Sequence, residues 1–244
     1  IAGLTLGCTL LKEGIPTIIF EKSSETASHG AAISISPNAL RLLDRLGIFD
    51  SLKEQSFIHH KAIIQSPKKP ICEFRSPMVL TTRRQTLIAL LLQQYQSLGG
   101  EVLFNHSYQE FNPGRCEITF KNKEQYVVSH LVACDGIRSS IRDEFFTPKQ
   151  QPKYSGYSAW RGIGKSNLQS IHFSLGPNSH VVNYPINKQG DVSFVAVTKE
   201  KYEEMLKALI DIDLSQIVEI EDNTDLSGEL ACAGGSCEID VDLK

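Results

Sequence analysis

Small and apolar residues recur at three-to-four spacing over Ile1–Leu11, which predicts a helix lying close to a sheet and broken at Lys12-Glu13-Gly14. Pro16–Glu21 follows as a short β-branched strand with an acid at its end. Ser36 is a good N-cap and Pro37 a good first helical residue; Leu40, Leu42, Leu43 and Leu46 take the buried side until Gly47 ends the helix. Residues 57–80 hold apolar pieces broken by Pro67, Pro70 and Pro77, read as short strands and turns. Thr81–Leu87 then leads a helix to about Leu98, closed by Gly99-Gly100. Its apolar stripe is Leu87, Leu91, Tyr95 and Leu98, widened by Ile88 and Leu92.

Residues 101–134 read as a β-meander with strand-like pieces at Glu101–Phe104, Cys116–Lys121 and Tyr126–Cys134. The run Leu131–Cys134 ends in Asp135-Gly136, and polar residues then open a segment with helical spacing. That pattern predicts a buried strand, a tight turn and a helix start. In α/β sheets such strand ends are where phosphates and cofactors sit. After Phe145-Phe146 the texture changes: Tyr154–Gly162 is aromatic-rich, and strands are expected near 170–174, 180–185 and 191–198. No helix of length is expected until Glu200–Ile210. Residues 154–199, with 57–80, are read as a second, mostly antiparallel sheet domain.

Composition narrows the class. The chain has 244 residues, 41% of them hydrophobic, enough for a real core, and no apolar stretch of membrane-spanning length. No charged-then-apolar leader is visible. A net charge of −3 gives no electrostatic case for nucleic acid or an anionic membrane. Six cysteines without a Cys-x-x-Cys pair suggest a reduced, cytoplasmic setting, though Cys232 and Cys237 could bridge. The stretch Glu219–Lys244 carries eight acidic residues and one lysine, and reads as a solvated or partly disordered end.

The usual self-sufficient catalytic sets are missing. Ser34 and Ser36 lack a Gly-x-Ser-x-Gly elbow, His59-His60 has no carboxylate at metal spacing, and Asp222–Asp225 is no calcium loop. No metal site is therefore expected. A bound cofactor that brings its own electron chemistry would need only placement and field from the protein.

Helix, strand and terminal acid form the back half of a dinucleotide-binding βαβ unit. Gly3 would be its third glycine and Glu21, eighteen positions on, the acceptor for ribose hydroxyls. With Asp135, Gly136, Arg138, Ser139, Ile141 and Arg142 in register, the chain resembles the p-hydroxybenzoate hydroxylase-like flavoprotein aromatic hydroxylases. Gly30-Ala31-Ala32-Ile33, with Pro37-Asn38-Ala39 further on, looks like the family's stretch beside the flavin. Arg84 sits where the family has an arginine on the flavin side. The sequences Tyr157–Gly162, Leu175-Gly176-Pro177 and His180–Ile186 look like the salicylate and 6-hydroxynicotinate hydroxylase branch. There a His and a Tyr four apart line the substrate ring, as His180 and Tyr184 would; in a strand both point to one face.

The resemblance implies an α/β fold: a Rossmann-like FAD-binding domain with an inserted, mostly antiparallel β-sheet substrate domain. It divides the chain into 1–56 and 81–153 for FAD, 57–80 and 154–199 for substrate, a helical return segment at 200–218, and the tail at 219–244. It implies cofactor contacts from Gly3, Glu21, Ala32, Arg84, Asp135 and Gly136, and catalytic roles for His180 and Tyr184. The implied reaction uses NAD(P)H to reduce FAD, then O2, and hydroxylates a small electron-rich aromatic compound through a flavin hydroperoxide. A monomer or homodimer would suffice. A second reading stays open: a truncated, non-catalytic relative that keeps the α/β core as a scaffold or interaction protein.

Overall fold

Helix α1 (Ala2–Lys12) stops as its sequence dictates: Gly14 takes φ +75°, and the Ile15 N–H donates back to Leu10 O at 2.9 Å. The structure, a computed structural model, describes residues 1–25, 31–66, 69–146 and 151–199, with the side chains of residues 76 and 77 excepted. The expected helix at 200–210, the return segment, the acidic tail and Gly30 lie outside the described residues. After α1 come β1 (Ile18–Phe20), β2 (Ala32–Ile35) and α2 (Pro37–Leu46). Gly47 closes α2 at φ +84°, as expected. Leu42 departs from expectation at 39% exposed, because the stripe that meets the core is Leu40, Leu43 and Leu46 alone. A short helix, α3 (Phe49–Glu54), follows without a sequence signal strong enough to have announced it.

Residues 57–83 form two long strands rather than several short ones. These are β3 (Phe57–Gln65) and β4 (Pro70–Arg83), paired antiparallel with register shifts near His59–Lys61 and Ile64–Gln65. β4 carries on through Thr81 and Thr82, which the sequence pattern assigned to a helix lead-in. The β2 register, Ala32 opposite Arg83 through Ile35 opposite Leu80, gives those residues strand partners and overrides their local preference. Helix α4 (Arg84–Ser97) then runs to Gly99, at φ +84°. Leu87, Ile88, Leu91 and Tyr95 pack against Leu4 and Cys8 of α1, the buried leucines of α2, and Ile35 and Leu80. Each fully buried leucine contributes about 2 kcal/mol, more than the propensity differences among ordinary residues, so burial fixes α4 in place.

Next, β5 (Glu101–Leu103) pairs in parallel with β1, and β6 (Tyr108–Asn112), β7 (Glu117–Phe120) and β8 (Gln125–Val127) form a separate antiparallel sheet. The expected meander is therefore split, and its last strand stops at Val127. The segment Leu131–Cys134, expected as a buried strand, has no strand partner among the described residues, and Val132 is 57% exposed. After α5 (Ser140–Phe145), the strands β9 (Tyr157–Lys165), β10 (Ile171–Leu175), β11 (Ser179–Pro185) and β12 (Asp191–Lys199) fall close to the expected positions. They complete a seven-stranded sheet in the order β2-β4-β3-β10-β11-β12-β9, antiparallel except where β3 meets β10. β2 and the end of β4 thus tie this sheet directly to the helical layer. No helix among the described residues is long and apolar enough to cross a membrane.

Candidate cofactor and substrate site

Helix α1 begins at Ile1 without a side-chain cap and without an acid in its first turn, so its N-terminal amides present the positive end of the helix dipole. Glu21 and Arg84 converge on this end. The charges of Arg84 and Glu21 both act at Ile1, the residue that precedes the first turn of α1. Glu21 follows β1 and is held by its backbone: its N–H donates to Leu103 O and its carbonyl accepts from His106 N–H, at 2.8 and 2.9 Å. Its Oε1 accepts from the Ser23 N–H at 3.0 Å. The Arg84 N–H donates to Ala31 O at 3.1 Å, pinning the start of α4 to the strand that carries Ala32.

Cys134 and the Asp135-Gly136 turn reach the same place. A Cβ on Gly3 would stand 3.7 Å from Cys134 Cβ, an ordinary contact. Within α1 the glycine that tight packing demands is Gly7, where a Cβ would come within 2.7 Å of the Tyr95 ring. Gly136 takes φ +82° and turns the chain toward α5. Ser139, buried, caps that helix by accepting the Arg142 N–H at 2.9 Å. Arg142 folds back on itself: Nη1 donates to Ile137 O at 2.6 Å, and Nε and Nη2 donate to Asp143 Oδ1 at 3.1 and 3.0 Å. These two residues build the turn, while Asp135 stays exposed at its tip.

On the substrate side, Tyr184 and His180 share one face of β11 but stand about 13 Å apart, four strand residues at about 3.3 Å each. Tyr184 is 5% exposed, within a core of Ala32, Ala62, Ile171 and Ile186, and its hydroxyl donates to Ala32 O at 3.5 Å. His180, half-buried, lies opposite Leu175 and Val197. Between them Val182 faces Phe173 on one side and Val195 on the other, with Arg161 next along that row. Tyr184 and His180 therefore bracket an apolar patch rather than meeting at one point.

Two polar groupings near this face escaped the sequence reading. Asp191 accepts from Lys165 Nζ at 2.5 Å, Arg83 Nη2 at 2.8 Å and Asn187 Nδ2 at 2.7 Å. Those bonds, Lys165 first, hold its carboxyl far below the usual range. His59, 1% exposed, reaches Thr81 Oγ1 at 2.7 Å and Pro185 O at 3.2 Å, and burial pushes its pKa down to about 4. The partners lie more than a hundred residues away in the Arg83–Asp191 and His59–Pro185 contacts, beyond any local pattern. A concavity of about 400 Å³ lies between Ser166–Gln169 and Asn187–Gly190, and none of the expected site residues lines it.

The FAD binding domain family matches residues 1–225. The 3-amino-4-hydroxybenzoate 2-monooxygenase PtmB3 of Streptomyces platensis is 28% identical over 220 residues, covering 81% of this chain and 54% of that enzyme. The FAD-dependent monooxygenase esdpE of Penicillium shearii is 36% identical over 160 residues, covering 59% of this chain and 32% of that enzyme. The crystal structure of CtdE in complex with FAD shares the fold with a TM-score of 0.70 at 20% identity, over 82% of this chain and 57% of that one. The chain spans about half the length of the curated relatives PtmB3, PtnB3 and the Streptomyces cremeus enzyme. With a Rossmann-like α/β layer joined to a mostly antiparallel sheet, this chain belongs to the FAD binding domain family.

Proposed function

We propose that this chain holds the FAD and covers the substrate in a monooxygenase that hydroxylates a small electron-rich aromatic compound with NAD(P)H and O2, in the salicylate and 6-hydroxynicotinate branch. The observation that carries the reading is that the charges of Glu21 and Arg84 both act at Ile1 while Gly3 lies against Cys134, which gathers these residues at the start of α1. The residues fit the cofactor. Uncapped helix amides and a guanidinium suit a pyrophosphate, and a strand-end carboxylate suits ribose hydroxyls. Gly3 leaves the helix end low, while Ala32, 3% exposed and packed with Tyr184, backs the site from within the core. Asp135 acts through its turn or a bound water, since a carboxylate aimed at pyrophosphate would repel it.

FAD, once reduced, supplies the oxygen-activating chemistry. The chain's own part is to seat the aromatic ring over Val182 and Val195, between Tyr184 and His180, and to exclude water there. A ring nitrogen of His180 receives the phenolic proton as the substrate ionises, while the Tyr184 hydroxyl orients the ring. The test is to purify the longest natural form, record its visible spectrum with and without added FAD, and follow NAD(P)H oxidation against a panel of small aromatic acids. Flavin bands and substrate-dependent oxidation support the reading. Absence of flavin bands even with added FAD overturns it.

A further inference from the structure

The β10–β11 ladder stops at His172 opposite Asn183, yet β11 runs on to Pro185. On that side the Pro185 carbonyl has lost its neighbouring strand, and side chains take over. The Thr81 hydroxyl donates to Pro185 O at 2.5 Å, and His59 Nε2 stands 3.2 Å from the same oxygen. Thr81 and His59 come from β4 and β3, so the sheet is closed at its gap by two side chains in place of a backbone rung.

The geometry also fixes the state of the imidazole. With the Thr81 hydroxyl proton directed at a carbonyl, the 2.7 Å contact between Thr81 Oγ1 and His59 Nε2 requires the proton on Nε2. Nδ1 is buried and finds no partner among the described residues, so a second ring proton would have no acceptor. Tyr184 is the residue next to Pro185, and it is packed on Ala32.

We propose that His59 is a positioning residue: as the neutral Nε2–H tautomer, with Thr81, it fastens the Pro185 carbonyl to β4 and so sets Tyr184 against Ala32. Its consequence for turnover rests on Tyr184 belonging to the substrate pocket; the tautomer and the fastening do not.

The experiment uses the full natural protein loaded with FAD at pH 7.5. Histidine ¹⁵N long-range NMR should give His59 the Nε2–H pattern. Either an Nδ1–H pattern or an imidazolium overturns the proposal. His59→Ala and Thr81→Val should each shift the Tyr184 ring resonances, and His59→Gln, which keeps an Nε2 donor, should restore them. In steady state His59→Ala should raise KM at least about tenfold with FAD affinity unchanged, and His59→Gln should recover most of the loss. Tyr184 resonances indifferent to all three substitutions would sink the positioning role even in an active enzyme. If no aromatic compound is turned over, the NMR arms still decide the fastening, and it is the pocket assignment that falls.

Discussion

Arg83 Nη2 lies 2.8 Å from Asp191 Oδ2, a contact that joins the last residue of β4 to the first residue of β12. Arg83 also stands opposite Ala32 and immediately before Arg84, so the ion pair ties the substrate-side sheet to the elements gathered at the end of α1. Lys165 and Asn187 complete the set around Asp191, whose side chain is 11% exposed while Arg83 and Lys165 are 41% and 71% exposed. The exposed cations weaken the pair, so its loss should be moderate.

Asp191→Ala is expected to cost about 1–2 kcal/mol in denaturant unfolding at pH 7. The pH dependence has a definite sign. A carboxyl held below its ordinary value adds stability that is complete above the unfolded pKa, about 3.9, and drains away as pH falls toward the folded value. The stability gap between wild type and Asp191→Asn should therefore be constant from about pH 5 to 8 and narrow below about pH 4. A gap that widened in acid would show that Asp191 does not carry the pair.

Gly7 and Gly3 should separate packing from cofactor contact. Gly7→Ala drives a Cβ to within 2.7 Å of the Tyr95 ring, and Tyr95 is fully buried with its hydroxyl donating to Thr17 O at 2.8 Å. Overpacking here should cost about 1–3 kcal/mol, read by thermal unfolding without FAD. Gly3→Ala meets only an ordinary contact with Cys134, so stability should hold while FAD binding weakens about tenfold, measured by flavin fluorescence titration.

Ser139→Ala removes the cap of α5 and leaves the Arg142 N–H without its acceptor. The cost should be about 1 kcal/mol, and amide exchange at Arg142 should speed up accordingly. Exchange unchanged from wild type would mean the turn is held by other bonds.

His180→Asn should lower kcat about 10–100-fold with little change in KM, as expected for a lost proton acceptor. Tyr184→Phe keeps the ring in its core and gives up only the 3.5 Å bond to Ala32 O, so stability should move by less than about 1 kcal/mol. Its effect should appear in KM. Steady-state kinetics insensitive to both changes would remove them from the pocket.

The sequence by itself determined what depends on neighbours along the chain. α1, α2 and α4 stop at Gly14, Gly47 and Gly99 because only glycine takes φ near +80° without strain, and the stripe of α4 follows from helical period alone. The register of the Asp135–Arg142 string was equally legible, and Ser139 as a cap explains part of it. Strand limits and partners were decided elsewhere. β4 extends to Arg83 because β2 pairs with it, Leu131–Cys134 has no strand partner among the described residues, and Asp191 meets Arg83 across the sheet. Alternation along a strand says which face a side chain takes, and so placed His180 with Tyr184. It carries no information about which strand lies beside it, and that pairing alone brought Tyr184 to Ala32 and set His59 under Pro185.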